Sequence, residues 1–326
     1  MSLIEKYREK IAKQIDDFII CERNPRGLYE PVEYVLSLGG KRIRPALCLA
    51  AADMFNGSDL KTVFPVALGI EVFHNFTLLH DDIMDGADLR RNSETVHKKW
   101  DSNTAILSGD VMLIKAYQLI SRAPETVLKP VLDLFNSTAV EVCEGQQFDM
   151  EFENRETVSV DEYINMIRLK TGVLIGCSLK AGAIVGGAST INADLLYQFG
   201  VNIGIAFQLQ DDILDVYGDS DLFGKNIGGD IVSNKKTMLL IHALATLKGD
   251  KREALLYWMN SRNFKSEEKI ENVRNLYNLA NVLEDTQKLK NYFFEKALGF
   301  LHRLDVKSNI KDELSNYAKE LMSRSK

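Results

Sequence analysis

The chain has few residues that stop helices. Its 326 residues include six prolines, at 25, 31, 45, 65, 124 and 130, and nothing after Pro130 lacks a backbone N–H donor. Cysteine is equally sparse. Cys21, Cys48, Cys143 and Cys177 form no CxxC pair, which excludes a disulfide scaffold or a zinc ribbon and fits a reduced compartment. Alternating β-branched runs are missing, and the Asn56-Gly57 pair follows a helical pattern rather than a strand. The longest charge-free run, Leu195 to Gln210, falls short of the roughly 20 residues that span a bilayer. Basic residues are not in excess: Lys+Arg is 40 against Asp+Glu 46, a net charge of −6, so a nucleic-acid coat is excluded. Ile4 to Lys10 carries charges where a secretory signal would be apolar, so a cytoplasmic protein with no transmembrane segment is expected. No Gly/Ser-rich or Pro-rich linker divides the chain, and a single domain over 1–326 is expected.

What is present is helical periodicity. Apolar residues make up 45% and charged residues 26%, as in an ordinary globular protein. Leu195, Phe199, Ile203, Ala206, Leu209 and Ile213 recur mostly at spacings of three and four. The last third mixes charged and apolar residues in the same way, as in Leu279, Val282, Leu283, Leu289, Tyr292, Phe293 and Leu298. The reading is an all-α chain of roughly ten or more helices. Breaks are expected at 24–27, 39–40, 56–58, 86–93, 124, 153–156 and 218–230.

One pattern occurs twice. Asp81-Asp82-Ile83-Met84-Asp85 returns as Asp211-Asp212-Ile213-Leu214-Asp215, each time after a long apolar helical stretch. Residues four apart share a helix face, and like charges at that spacing destabilise the helix. At a helix C-terminus the macrodipole adds to the penalty. A cation removes both costs. Mg²⁺ suits such a site, because it takes one or two carboxylates from the protein and its other ligands from water and phosphate oxygens. A single copy could equally be the solvated end of a helix, but two in matching contexts are hard to explain that way. An EF-hand is excluded, since no Asp-x-Asp-x-Asp-Gly loop closes on a Glu.

Basic residues cluster near the acidic ones. Gly39-Gly40-Lys41-Arg42-Ile43-Arg44-Pro45 places three cations at the start of a helix. Arg90-Arg91 follows the first acidic motif, and Lys225, Lys235 and Lys236 follow the second. Lys170-Thr171-Gly172 interrupts an apolar region. None of these is a P-loop, because Gly-x4-Gly-Lys-Ser/Thr is absent. Paired carboxylates with several cations suit a ligand bearing several negative charges, such as a diphosphate bridged by Mg²⁺.

In this combination the chain resembles the trans-isoprenyl diphosphate synthases, the polyprenyl synthetase family. The matching pieces run in the family's order from Gly39 to Lys236: GGKRIRP, HDDIMD, Arg90-Arg91, Lys170-Thr171-Gly172, FQLQDDILD, Gly224-Lys225 and Lys235. The resemblance implies packed antiparallel helices around a deep cavity, a homodimer, and a prenyltransferase working on small molecules. In that reaction an allylic diphosphate ionises, the double bond of isopentenyl diphosphate attacks the cation, and the released diphosphate takes the proton. Carried over by position, Asp81, Asp85 and Asp211 resemble the Mg²⁺ ligands, supported by Asp82 and Asp215. Arg90, Lys170, Lys225 and Lys235 resemble the groups that hold the allylic diphosphate. Lys41, Arg44, His74 and Arg91 resemble the isopentenyl diphosphate site. Thr171 and Gln208 resemble groups beside the forming cation.

In this family the residues just before the first acidic motif form the cavity wall and floor. Phe76, five residues before Asp81, would block chain growth, the small Thr77 would not, and Phe73 could also limit depth. One aromatic without an insertion in the motif looks most like a geranylgeranyl (C20) synthase, with farnesyl (C15) next. A terpene cyclase shares the first motif but typically has a different second one. A non-catalytic subunit would usually lack one of the two.

Overall fold

The computed structural model describes residues 3–19, 24–56, 60–218, 227–306 and 309–323. It is helical nearly throughout, as expected. The elements are α1 (Leu3–Ile19), α2 (Arg26–Ser37), α3 (Ile43–Asn56), a 3₁₀ turn (Leu60–Thr62), α4 (Phe64–Met84), β1 (Leu89–Arg90), β2 (Ser93–Glu94), α5 (Val96–Lys99), α6 (Ser102–Ile120) and α7 (Glu125–Glu153). There follow α8 (Val160–Ile167), a π-helical turn (Arg168–Gly172), α9 (Val173–Val185), α10 (Thr190–Tyr217) and α11 (Gly229–Val232). The chain then runs through α12 (Met238–Thr246), α13 (Gly249–Asn260), α14 (Ser266–Leu279), α15 (Val282–His302) and α16 (Asn309–Ser323). Strands β1 and β2 pair antiparallel as a minimal hairpin, the one feature that the poor strand signals did not announce.

Local chemistry accounts for several boundaries. Pro65 sits in the first turn of α4, where its missing N–H costs nothing. Asp101 caps α6 by accepting from the Thr104 N–H. Ser159 and Glu162 close a reciprocal capping box on α8.

The chain divides into two compact units. One comprises Met1–Thr138, Ile175–Tyr197 and Arg303–Leu314, the other Ala139–Leu174, Gln198–His302 and Ser315–Lys326. The boundaries fall inside helices such as α7 and α10 rather than in linkers. In the first unit α4 packs on α3 and α6, burying Val66, Leu68, Ile70, Val72 and Phe73. In the second, Val216, Ile231, Leu239, Leu240, Leu255, Val273, Tyr277 and Val282 form one cluster.

By length and composition, Leu60–Met84 is the one described stretch apolar enough to cross a bilayer; 61% of its most apolar window is buried in the protein, as in a core helix. Glu71 interrupts its charge-free run. That carboxylate is itself buried and paired with Arg42 at 2.6 Å.

Candidate active site

In the first unit the acidic motif closes α4. Asp81 and Asp82 lie in its last turn and Asp85 caps it, with the Asp85 N–H bonded to the Asp81 carbonyl at 2.9 Å. Three carboxylates thus sit at the negative end of a 21-residue helix. Asp82 is buried, which pushes its carboxyl up to about 6; Arg90 opposes that shift, and Asp81 and Asp85 reinforce it. Arg90 donates through Nε to Asp82 Oδ1 at 2.7 Å and through a terminal nitrogen to Asp81 Oδ2 at 3.2 Å.

The β1–β2 hairpin delivers that guanidinium. Its two turn residues, Arg91 and Asn92, have φ of 54° and 62°, the left-handed pair that a tight hairpin turn needs. Arg90 is therefore a strand residue and Arg91 a turn residue, and their side chains diverge. Arg91 donates to the Gly39 carbonyl instead. The two adjacent arginines thus take different partners, Asp81 and Asp82 for Arg90 and Gly39 for Arg91.

Around Gly39–Arg44 the charges are arranged differently. Arg42 is internal: it bonds Glu71 and, at 2.5 Å, the Leu36 carbonyl, so it braces the fold. Lys41 is exposed. Arg44 donates to His74 Nε2 at 3.0 Å, and its own Nε is buried with no hydrogen-bond partner. Burial, then the charges of Arg44, Arg91, Arg90 and Arg42, hold the His74 imidazole well below its ordinary pKa. His74 is neutral and accepts from Arg44, which leaves the ring proton on Nδ1. Burial also lowers Arg44 to about 10. Several guanidiniums facing a neutral histidine, one of them with an orphaned buried N–H, make a pocket suited to an anion.

The second unit carries the other motif inside the last two turns of α10. Asp212 is buried, and its partners are neutral. Tyr163 of α8 donates to Oδ2, and Gln208, one turn earlier on α10, donates to Oδ1 at 3.3 Å. Thr171 in turn donates to Gln208 Oε1 at 3.3 Å. Burial and then Asp230 push the Asp212 carboxyl up to about 7, against the Tyr163 and Gln208 hydrogen bonds and Lys235. The Tyr163 phenol is driven well above its usual value by burial and by Asp212. Asp215 accepts the backbone N–H of Asp230 at 3.0 Å, and its carbonyl accepts from Gly228 at 2.7 Å.

Lys170 and Thr171 lie in the π-helical turn, a widened helix turn common at functional sites. Gly145 of α7 is what lets this turn come close, since a Cβ there would collide with the Lys170 backbone N. The Lys170 ammonium pairs with Asp149 of α7 at 2.6 Å. Lys235 is exposed, and its N–H bonds the Asp230 carbonyl at 2.9 Å. Lys225 lies outside the described residues.

The chain-length candidates separate on inspection. Phe73 is 1% exposed, with its ring against Phe135 at 5.1 Å and Phe76 at 5.6 Å. Phe76 is only half-buried and also meets His80 at 4.8 Å. The Thr77 hydroxyl donates back to the His74 carbonyl at 2.8 Å. Three residues that the motifs did not announce, Asp149, Tyr163 and Asp230, complete the second cluster. Tyr163 lies two turns before Lys170 and gave no signal beyond an apolar spacing. Asp149 was one acid among several on α7.

Asp81 and Asp85, like Asp211 and Asp215, stand one helical turn apart and offer hard oxygen donors. Among the described residues no group of three or more His, Cys, Asp or Glu forms a preformed metal cage. This donor set fits an ion that takes few protein ligands and completes its shell with water and phosphate oxygens.

Comparison with known proteins places the chain in a family. The Polyprenyl synthetase family model matches residues 25–277. The chain is 41% identical over 249 residues to a geranylgeranyl diphosphate synthase of Methanosarcina mazei, covering 74% of this chain and 76% of that one. It is 39% identical over 259 residues to a geranylfarnesyl diphosphate synthase of Natronomonas pharaonis, covering 74% and 76%. A crystal structure of a geranylgeranyl pyrophosphate synthase superposes with a TM-score of 0.94 at 43% identity, over 99% of both chains. The chain belongs to the polyprenyl synthetase family. It is an enzyme, a trans-prenyltransferase with the helical isoprenoid synthase fold.

Proposed function

We propose that the chain condenses isopentenyl diphosphate with an allylic diphosphate and releases a C20 all-trans prenyl diphosphate. The observation that carries this reading is the repeated acidic motif at the ends of α4 and α10, each copy beside its own cations. Asp81, Asp85, Asp211 and Asp215 would hold Mg²⁺, with Asp82 fixed by Arg90. When bound, Mg²⁺ supplies positive charge that makes diphosphate a better leaving group. Arg90, Lys170, Lys225 and Lys235 orient the allylic diphosphate, so that its C1–O bond breaks with the electron pair leaving on oxygen. Thr171 and Gln208, joined by their hydrogen bond, present oxygen dipoles to the developing carbocation. Lys41, Arg44, His74 and Arg91 hold the second diphosphate, so that its double bond faces C1. The new C–C bond forms, and a proton is lost to the released diphosphate.

Phe76 stops growth at C20. Phe73 supports it from the core rather than from the wall, and Thr77 leaves the neighbouring position open. The chain acts as one domain over 1–326 in the cytoplasm, with the described cysteines Cys48, Cys143 and Cys177 as free thiols. It works as a homodimer: α6 exposes Ile106, Leu107 and Ile114 within about 100° of one another around the helix, an apolar strip that a second copy would cover.

The test is to incubate the purified chain with Mg²⁺, isopentenyl diphosphate and each of the C5, C10 and C15 allylic diphosphates, and to weigh the products. A dominant C20 diphosphate supports the reading. A C15 product would keep the synthase and shorten the product, and a C25 product would keep the synthase and remove Phe76 as the floor. Diphosphate release without condensation would indicate a cyclase, and no turnover a non-catalytic subunit.

A further inference from the structure

Lys269 is the least expected ionisable group in the second unit. It lies on α14 and is 1% exposed, yet its ammonium meets no carboxylate among the described residues. Its partners are the Val232 carbonyl at 3.1 Å, Asn234 Oδ1 at 2.8 Å, and the ring of Phe264, whose centroid lies 4.4 Å away. Burial lowers its pKa. Burying an ammonium among neutral oxygens carries a desolvation cost that packing alone would not select, since a methionine would fill the same space without it.

What the cost achieves lies in the segment that Lys269 grips. Residues 228–235 begin at Gly228 and end at Lys235, and α14 holds both ends. Gly228 has φ of 85°, and a Cβ there would run into the Ile270 side chain at 2.6 Å. Ile270 is the neighbour of Lys269. At the other end Lys269 binds Val232 and Asn234. Asn234 has φ of 56° and is tied by its own amide to the Met259 carbonyl at 2.9 Å. The next residue is Lys235, whose N–H closes onto the Asp230 carbonyl. The Asp230 N–H is held in turn by Asp215 of the acidic motif.

We propose that Lys269 is a positioning residue for the prenyl transfer reaction. From α14 it fixes the Gly228–Lys235 segment so that Lys235 and Asp230 stand in register with the second acidic motif. It touches no substrate. The inference rests on the function proposed above, which assigns Lys235 to the allylic diphosphate.

The test compares Lys269→Met, which keeps the volume, with Asn234→Gly, which keeps the left-handed backbone and removes the acceptor. Binding of geranyl diphosphate with Mg²⁺ is followed by calorimetry, the KM of each substrate by steady-state kinetics, and melting by calorimetric scan. We expect Lys269→Met to melt close to the wild type and Asn234→Gly modestly below it, with both variants binding the allylic diphosphate about tenfold more weakly while the KM for isopentenyl diphosphate moves less than twofold. Unchanged allylic binding in two folded variants would overturn the proposal. So would a joint loss for both substrates that tracks a lower melting temperature, because that marks a purely structural lysine. A wild-type protein that condenses no prenyl diphosphate would remove the functional reading itself, and this outcome is visible before any variant is made.

Discussion

The two acidic motifs share four of five residues and are supported in opposite ways. At the end of α4 the middle carboxylate, Asp82, is gripped by a guanidinium that a hairpin brings to it. In α10 the equivalent Asp212 is gripped by a phenol and an amide, with no cation among the described residues in hydrogen-bond contact. Burial raises both carboxyls, to about 6 and about 7. In the first motif charge balances charge. In the second, directed hydrogen bonds from Tyr163 and Gln208 hold a carboxyl that burial pushes up to about 7. A repeated sequence therefore does not imply a repeated environment. The residues that distinguish the copies come from elsewhere in the chain, Arg90 in one case and Tyr163 in the other.

The largest effect should come from the residues the two motifs use alike. Asp81→Ala and Asp211→Ala should each lower kcat by about 10³-fold, or roughly 4 kcal/mol of transition-state stabilisation. Steady-state kinetics decide it, and near-normal turnover in either variant would break the equivalence.

A smaller contrast tests the supports. Arg90→Ala leaves Asp82 buried without its cation and removes a diphosphate contact, so turnover should fall by about 100-fold and the melting temperature should drop. Tyr163→Phe removes one hydrogen bond to Asp212. It should cost about 1–3 kcal/mol of stability and about tenfold in turnover, as measured by denaturant unfolding and kinetics. Equal losses in the two variants would contradict the distinction drawn between charge and hydrogen bond.

Phe76→Ala should shift the main product beyond C20 by at least one five-carbon unit, with little loss of rate, as read by mass spectrometry. Unchanged products would move the floor elsewhere. Phe73→Ala should mainly destabilise, by about 3–5 kcal/mol, because its ring is inside the core.

The smallest effect concerns pH. The folded His74 refuses a proton that the unfolded chain accepts below about 6.5, so its contribution to stability is complete above that value and is lost as the pH falls beneath it. His74→Gln should flatten the fall in melting temperature between about pH 6.5 and pH 5. An unchanged slope would show that another group governs it.

The helices were legible because their apolar spacing is regular, and the acidic motifs because like charges one turn apart call for an explanation. Arg90 and Arg91 could be seen to diverge, though not that a left-handed Arg91-Asn92 turn makes them do so. Glu71 hid the one described helix long and apolar enough to span a bilayer from a count of uncharged residues, since its partner Arg42 lies 29 residues away in sequence. Tyr163, Asp149 and Lys269 were not legible. Each acts through a partner brought near by tertiary folding, and nothing in its local spacing sets it apart from an ordinary buried or surface residue.

That the acidic motif works twice, once in each unit, is tested most directly by titrating geranyl diphosphate into the wild type, Asp81→Ala and Asp211→Ala by calorimetry, with and without Mg²⁺. The structure predicts Mg²⁺-dependent binding in the wild type and its loss, by about 100-fold or more, in both variants. Binding that survives intact in one of them would show that one copy only closes a helix, and would contradict the account.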